Sequence, residues 1–406
     1  YSQNLVISVT DIDAINYIEG ALSIINGNGY KDLNSNSITH WPPGYSYLLS
    51  FFFKSPLYNS YIINGVSLAI CSVFIFNLLL KFKWDFFVSL SIVSFLTFGF
   101  LYSISIFAKP DIFSYAIFFI AIRLYISKLF YKQIFALILL CFLIFFKSIA
   151  VAFFPSFLIA KFINNNFKFS KQEILSFILL SLLYFLVISI VLKNSLEISG
   201  SLISDTHPDP TFIKFLAEIK RFIYDFFRMF LFNWYGSIKV SKFIISLLIL
   251  SIALSIFCFK DLFFKRNILT DIALIIFLLI WLMQFIKIFH ATPRLMAYSF
   301  IVFIIGCNIH YINIKKWSLL MLMSFGSLIF QNQIVSHYGI NHPQYKKIVI
   351  EISPHIPKNH TIYTNALKIF DIQNIKTITS SKWPVSKKNT CLIKVDIKNF
   401  DNLLNV

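Results

Sequence analysis

The run QEILSFILLSLLYFLVISIVL spans residues 172–192 and decides the class of this chain. A helix rises about 1.5 Å per residue, so a run of this length can cross the roughly 30 Å of hydrocarbon in a bilayer. Similar apolar runs recur at 60–80, 86–107, 111–129, 133–147, 149–162, 241–258, 268–288, 295–313 and 317–335. Together they predict an all-α polytopic membrane protein with about ten visible transmembrane helices.

The composition points the same way. The chain has 406 residues, of which 57% are hydrophobic and 13% charged, and 49 are Phe; its mean hydropathy is +0.74. The net charge of +18 is carried by Lys and Arg in short turns between apolar runs, which is typical of membrane orientation and argues against nucleic acid as a partner. The five cysteines are dispersed, so neither a disulfide framework nor a structural zinc site is predicted.

Charge also decides how the short pair at 133–147 and 149–162 is interpreted. The pair could form one long tilted helix or two short crossings. If it forms two crossings and the first region lies outside, every inner turn is basic, as the positive-inside rule requires. Those turns carry Lys81/Lys83, Lys128/Lys132, Lys161/Lys168/Lys171, Lys260/Lys265/Arg266 and Lys315/Lys316. We therefore predict two crossings, and one further helix before Tyr1, about eleven in all.

Three regions follow from this topology. Residues 1–58 form an external first loop with interfacial helices, residues 59–335 a transmembrane bundle, and residues 336–406 a small external α/β tail. In the first loop, apolar residues spaced by three and four from Asp13 to Ile25 predict an amphipathic helix that Asn26–Gly29 ends. A second interfacial helix is predicted from Tyr45 to Phe53.

The external loop at 193–240 contains a second amphipathic pattern. Phe and Ile alternate with Lys and Arg between 212 and 230, which indicates either a helix on the outer membrane surface or packing against the bundle. In the tail, the apolar β-branched stretches 348–350 and 391–395 indicate strands.

The polar motifs of the chain all fall on the predicted outer face. They are Asp11/Asp13, Trp41-Pro42-Pro43-Gly44, Lys109-Pro110-Asp111, Lys147 and the segment 290–294, which contains His290 and Arg294. Acids and cations at one membrane surface suit a substrate with an anionic head and an apolar tail. Arg and Lys can hold phosphate oxygens, and a carboxylate can accept the proton of a hydroxyl as a sugar is transferred.

Each residue also has a simpler interpretation. Asp111 suits the N-cap of the helix after Pro110, Lys147 suits a residue that extends its amine to the interface, and Arg294 suits a helix-end anchor. His40 and His290 suit interfacial hydrogen bonding. Asp11 and Asp13 are also a candidate pair for a divalent cation, because hard cations take carboxylate oxygens.

The first loop carries a more specific pattern. Asp13-Ala14-Ile15-Asn16-Tyr17 is followed by Gly27, Gly29 and Tyr30 and then by Trp41–Tyr45. This order resembles the first external loop of GT-C-fold membrane glycosyltransferases, in the bacterial branch related to protein O-mannosyltransferases and to the lipid A aminoarabinose transferase. In that branch an Asp opens a D-x-x-x-Y helix, a G-x-G-[YF] turn follows, and Pro-Pro-Gly-Tyr leads into the next transmembrane helix.

The resemblance implies sugar transfer from a polyprenyl-phosphate donor at the extracytoplasmic face of the inner membrane. It implies Asp13 as the general base, with Asp11 and Asp111 as further acidic residues of the catalytic site. Arg294, Lys147 and Lys109 are expected to bind the donor phosphate, and the substrate-binding residues are expected to be Tyr17, His40, Tyr45 and His290. The candidate divalent cation at Asp11 and Asp13 follows from their carboxylates and not from the resemblance.

The acceptor stays open among a lipid, a glycan and a protein, although the Asp-Glu pair of the O-mannosyltransferases is absent here. Two other functions remain alternatives. A lipid-linked oligosaccharide flippase or transporter would need helices broken by Gly or Pro near the membrane centre. A surface-polysaccharide polymerase or ligase would use the same donor class but needs a large external loop, and the loop at 193–240 is modest.

Overall fold

The computed structural model describes residues 12–31, 38, 41–51, 56–105, 107–165, 169–199, 267–285 and 293–306, and three short strands later in the chain. Helices α1 (Ile12–Ile25), α2 (Gly44–Ser50) and α3 (Pro56–Lys81) come first. The next elements are α4 (Phe86–Leu96), a π-helical segment (Thr97–Leu101), α5 (Tyr102–Ser105), α6 (Asp111–Tyr125) and α7 (Phe130–Leu143). A 3-10 helix (Ser148–Ala152), α8 (Phe153–Asn164), α9 (Lys171–Ser199), α10 (Ile268–Phe285) and α11 (Pro293–Gly306) follow.

The predicted first-loop helices are present. Helix α1 ends at Ile25, and both Gly27 and Gly29 have φ of 75°, the left-handed conformation that ends a helix most easily at glycine. Helix α2 begins at Gly44, directly after the two prolines. Proline has no backbone N–H to donate, so it is tolerated at the start of a helix but not in its interior. The two prolines therefore fix where α2 begins.

Hydrogen bonds between helices define two ends of the bundle. At one end, which we call the Asp111 end, Asn64 of α3 donates to the carbonyls of Ser105 and Phe107, just before α6. At the other, which we call the Lys161 end, Lys81 Nζ donates to the Ile126 carbonyl and Trp84 Nε1 to the Ile305 carbonyl, each at 3.2 Å. Helices α3, α6 and α11 therefore run in the same direction, from the Asp111 end to the Lys161 end.

The segment from 130 to 164 forms two antiparallel helices. Lys161 Nζ in α8 lies 2.7 Å from Gln133 Oε1 near the start of α7, while the turn between the two helices carries Lys147 to Asp111. A single long helix would hold residues 133 and 161 far apart. The two-helix interpretation of the short pair is therefore confirmed, whereas its crossing of a membrane stays a prediction.

The basic turns predicted for the inner side gather at the Lys161 end wherever the structure describes them. These residues are Lys81, Lys83, Lys128, Lys132, Lys161 and Lys171. Lys161 is itself largely buried; it contacts Glu173 Oε1 at 3.1 Å and lies over the rings of Phe130 and Phe177. The remaining predicted inner turns lie outside the described residues.

Aromatic side chains fill the middle of the bundle. Tyr115 of α6 and Tyr298 of α11 stack with ring centroids 3.7 Å apart and an interplanar angle of 1°. Phe118 and Phe153 pack around the same ring of Tyr298, and all four side chains are fully buried. Large rings of this kind bury extensive apolar area and hold helices at fixed spacing, so this cluster sets how α6, α8 and α11 fit together.

Two of the described helical segments, Tyr58–Lys81 and Lys171–Val191, are long and apolar enough to cross a membrane, with mean hydropathies of 2.2 and 2.8. Helix α9 also exposes a stripe of large apolar residues that includes Leu175, Leu182 and Phe185. Other described apolar helices are shorter. The predicted runs 241–258 and 317–335 and the amphipathic segment 212–230 lie outside the described residues.

Three parallel strands lie within residues 336–406. They are β1 (Thr361–Thr364), β2 (Thr377–Thr379) and β3 (Thr390–Ile393), in the order β2-β1-β3. Ile362 pairs with Thr377 on one side and with Cys391 on the other. The α/β tail as a unit stays a prediction, because the segments that connect these strands lie outside the described residues.

Candidate functional site

The centre of the candidate site is an ion pair at the Asp111 end. Lys147 Nζ lies 2.6 Å from Asp111 Oδ1, and the two side chains are 15% and 4% exposed. A distance this short corresponds to a charge-assisted hydrogen bond, which is stronger than a bond between neutral groups. The structure thus brings together two residues that the sequence nominated separately, one as an acid of the catalytic site and one as a donor-phosphate contact.

The positions of both residues follow from local structure. Pro110 occupies the N-cap of α6 and makes no side-chain cap hydrogen bond, and Asp111 is the first helical residue. The alternative in which Asp111 is the N-cap is therefore wrong. Lys147 precedes the 3-10 helix and has an extended backbone, with φ of −147° and ψ of 115°. That extended residue turns the chain from α7 toward α8 and faces the start of α6.

The Trp41–Gly44 turn packs against the turn between α7 and α8 that carries Lys147. The Gly44 amide donates to the Phe145 carbonyl at 2.8 Å. A Cβ at Gly44 would lie 2.6 Å from that same oxygen, so a side chain there would force the two backbones apart. Glycine is therefore required where the first loop meets the turn that carries Lys147, and the predicted Pro-Pro-Gly motif has a packing reason.

Tyr45 and Asn64 connect this turn to the start of α6. The fully buried Tyr45 hydroxyl donates to Asn64 Oδ1 at 2.8 Å, and Asn64 Nδ2 donates to Ser105 O at 3.0 Å and Phe107 O at 2.6 Å. Burial raises the pKa of the Tyr45 hydroxyl above its usual range, and the negative charge of Asp111 raises that pKa further. Tyr45 is therefore a neutral hydrogen-bond donor beside a carboxylate.

Helix α1 is fastened to the same structure. The Tyr17 ring meets the Tyr45 ring edge-on, with centroids 5.5 Å apart, and Ser46 Oγ donates to the Tyr17 carbonyl at 2.8 Å. Tyr17 and Tyr45, both predicted to bind substrate, are buried side chains that dock α1 on α2. Asp13 lies one helical turn before Tyr17, so this contact fixes the part of α1 that carries the predicted base.

Tyr30 completes the first loop. Its hydroxyl donates to the Trp41 carbonyl at 3.0 Å, which ties the G-x-G-Y turn to the Trp-Pro-Pro-Gly turn. Burial raises the pKa of the Tyr30 hydroxyl above its usual range, although a hydrogen bond with Ser46 opposes that change. The tyrosine therefore stays protonated and keeps its role as a donor.

The start of α11 lies at the same end of the bundle. Arg294 comes one turn before Tyr298, just as Asp111 comes one turn before Tyr115, and these two tyrosines stack on each other. Because α6 and α11 run in the same direction, their first turns lie at a similar height. The structure thus places the backbone of Arg294 toward the Asp111 end.

The other predicted site residues have the following positions. Lys109 is buried, with Nζ 5.7 Å from the centroid of the Phe107 ring. Asp13 is in the first turn of α1, while Asp11, His40 and His290 lie outside the described residues. Within the described ranges, no three His, Cys, Asp or Glu side chains gather to hold a metal ion. The candidate cation position at Asp11 and Asp13 stays a prediction.

Sequence reasoning missed Asn64. It is 1% exposed and lies inside the apolar run 60–80, whose hydropathy predicts a helix but gives no role to a single amide. The sequence did contain a signal for it, since a polar amide within an apolar helix indicates a residue with hydrogen-bond partners or a function. Asn59, one turn and a little more before it, has a similar role: its Nδ2 donates to the Leu49 carbonyl at 2.8 Å.

Comparisons with protein-family models, curated proteins and solved structures gave no match. Function is therefore inferred from the residues of this chain and their geometry.

Proposed function

We propose that this protein is a multi-pass membrane glycosyltransferase that transfers a sugar from a polyprenyl-phosphate donor to an acceptor hydroxyl. The active site lies on the extracytoplasmic side of the cytoplasmic membrane, at the Asp111 end of the bundle. The observation that carries the proposal is the Asp111–Lys147 ion pair, which lies beside the Trp41–Tyr45 turn on which α1 packs. It adds geometry to a motif that already resembles the GT-C enzymes.

The chemistry needs a base, an electrophilic sugar carbon and a leaving phosphate. Asp13 takes the proton of the acceptor hydroxyl as its oxygen attacks the anomeric carbon of the sugar. The bond between that carbon and the phosphate oxygen breaks, and polyprenyl phosphate leaves with the electron pair. Attack opposite the leaving group inverts the configuration at the anomeric carbon.

Cations at the same end stabilise the negative charge that develops on the phosphate. Arg294 is suited to a bidentate contact with two phosphate oxygens, and Lys147 supplies a second positive charge near Asp111. The apolar faces of α3 and α9 provide a surface along which the polyprenyl chain of the donor can lie.

The basic turns at the Lys161 end support the proposed orientation. Where they are described, these lysines lie at the end opposite the ion pair, as expected if that end faces the cytoplasm. The ion pair and the first loop then face outward, where lipid-linked sugar donors are used by enzymes that this first loop resembles.

The test is Asp13→Asn in the full chain, assayed in membranes with a panel of polyprenyl-phosphate sugars and acceptors. We expect transfer to fall about a hundredfold or more, the usual loss when a general base is removed. Asp85→Asn is the matched control, because Asp85 caps α4 at the Lys161 end through the amides of Phe87 and Val88, and Asn caps equally well. Undiminished transfer by Asp13→Asn at equal membrane insertion would refute Asp13 as the base.

A further inference from the structure

The side-chain amide of Asn64 makes three hydrogen bonds inside the protein. An amide has one oxygen that accepts and one nitrogen that carries two hydrogens. Here the nitrogen donates to two backbone carbonyls, at Ser105 and Phe107, and the oxygen accepts from Tyr45. A buried amide whose oxygen and both N–H groups have partners is a specific link between segments, because a displacement leaves one of these groups unpaired.

The two carbonyls also fix the direction of the link. Carbonyl oxygens only accept, so the amide nitrogen must face Ser105 and Phe107, and the amide oxygen must face Tyr45. The Tyr45 hydroxyl then has to donate to Asn64. Its hydrogen is directed toward Asn64 rather than toward the carboxylate of Asp111, and that carboxylate keeps its short contact with Lys147.

Asn64 consequently connects two parts of the site. Through Tyr45 it reaches Tyr17 and the helix that carries Asp13. Through the carbonyls of Ser105 and Phe107 it holds the backbone that leads into Lys109-Pro110-Asp111. We propose that Asn64 is a positioning residue, which sets the Asp111–Lys147 pair in register with the first turn of α1. For its catalytic consequence, this inference rests on the proposed glycosyl transfer.

Asn59 offers a matched comparison on the same helix. It is also a buried asparagine, 2% exposed, and its amide nitrogen donates to a backbone carbonyl. That carbonyl belongs to Leu49 in α2, so the bond fastens α2 to α3 and does not reach the segment before Asp111. Replacing either asparagine by Leu removes the amide at nearly constant volume, and a loss common to both variants reports only on folding.

The first experiment compares Asn64→Leu and Asn59→Leu in the full chain with a lipid-linked sugar donor. We expect kcat of Asn64→Leu to fall by about a hundredfold, since a displacement of about 1 Å can cost this much in an active site. Asn59→Leu is expected to lose much less kcat, because its bond to Leu49 lies at the end of α2 away from Gly44. Equal losses in the two variants would overturn the inference.

The second experiment does not depend on turnover. The protein is treated in membranes with an amine-reactive ester, and modification of Lys147 is followed by mass spectrometry. In the unchanged protein the ion pair and burial protect the Lys147 amine. We expect its modification to accelerate severalfold in Asn64→Leu and in Tyr45→Phe, which removes only the hydroxyl, and to be unchanged in Asn59→Leu.

These results separate the two proposals. If Asp13→Asn leaves transfer intact, the proposed function fails, yet protection of Lys147 still tests the role of Asn64. If transfer requires Asp13 but Lys147 is protected equally in Asn64→Leu, Tyr45→Phe and the unchanged protein, the proposed function stands and the inference about Asn64 is wrong. Tyr45→Phe keeps the ring packing, so it provides this outcome even if Asn64→Leu does not fold.

Discussion

The carboxylate of Asp111 is 4% exposed and meets the Lys147 amine at 2.6 Å. Removing charged groups from water is costly, and the cost is offset only while opposite charges stay in contact. The pair therefore contributes less to net stability than its short distance suggests. Removing either residue, however, takes away the opposite charge that offsets the burial of the other.

Lys147→Met tests this asymmetry. We expect the variant to lose about 3 kcal/mol of unfolding free energy, because a buried carboxylate loses its ion-pair partner while the apolar volume is kept. Denaturant titration in mixed micelles measures the loss. The double variant Asp111→Asn/Lys147→Met should recover most of it.

Lys128→Met is the matched control, since Lys128 is exposed in the turn between α6 and α7. Its effect should stay within about 0.5 kcal/mol. A Lys147→Met variant as stable as this control would show that the ion pair does not stabilise the protein.

The sequence nominated Asp111 and Lys147 but did not pair them. Their residue types and their places beside apolar runs indicated charged groups at one surface. Their contact depends on the reversal between α7 and α8, which returns the chain to the start of α6, and on the Gly44–Phe145 backbone contact. Neither leaves a signal in hydropathy. Tyr17 and Tyr45 likewise belong to the motif, while their packing against each other appears only in three dimensions.

Helices α6 and α11 are coupled by the stacked rings of Tyr115 and Tyr298. Each tyrosine comes one turn after a predicted site residue, Asp111 in α6 and Arg294 in α11. The stack therefore sets the height of one helix start relative to the other.

Tyr298→Ala should cost about 3 kcal/mol of unfolding free energy, because it leaves a cavity among Tyr115, Phe118 and Phe153. It should also raise the KM for the lipid-linked donor more than the KM for the acceptor, since Arg294 loses its support. Thermal unfolding in nanodiscs and steady-state kinetics measure the two effects.

Tyr298→Phe keeps the ring and is expected to behave like the unchanged protein, while Tyr131→Ala, at a side chain 65% exposed, controls for the loss of a tyrosine. If Tyr298→Ala and Tyr131→Ala gave the same donor KM, the stack would not position α11.

The apolar runs predict where the helices lie, but they do not predict irregular turns inside a helix. The runs at 111–129, 133–147 and 268–288 correspond to α6, α7 and α10, with ends that move by a few residues. The run 86–107 is instead divided by the π-helical segment Thr97–Leu101, where Thr97 hydrogen-bonds with Ser72 at 2.7 Å. A π turn admits one residue more than an α turn, and apolar composition is the same in both, so sequence alone could not locate it.

The sequence predicts that the first loop and the basic turns lie on opposite sides of a membrane. The described helices place them at opposite ends of the bundle, in agreement with that prediction. Cysteine labelling tests whether a membrane separates them. In a cysteine-free background, Phe51→Cys at the Asp111 end should react with an impermeant maleimide in intact cells. Lys128→Cys at the Lys161 end should react only after the cells are opened.

Both positions are exposed in the structure, with Phe51 at 79%, so local burial does not limit the reaction. Labelling of both cysteines from the same side would contradict a membrane between the two ends and, with it, the proposed active-site location.

The short length of α6 has a consequence for how a lipid carrier would reach the ion pair. Its 15 residues span about 22 Å, less than the roughly 30 Å thickness of a hydrocarbon layer. If the Lys161 end lies at the cytoplasmic boundary, Asp111 and Lys147 lie several ångströms deeper in the membrane than the outer headgroups. The phosphate of the lipid donor would then have to lose part of its hydration to reach this depth. The positive charge of Lys147 would attract it there.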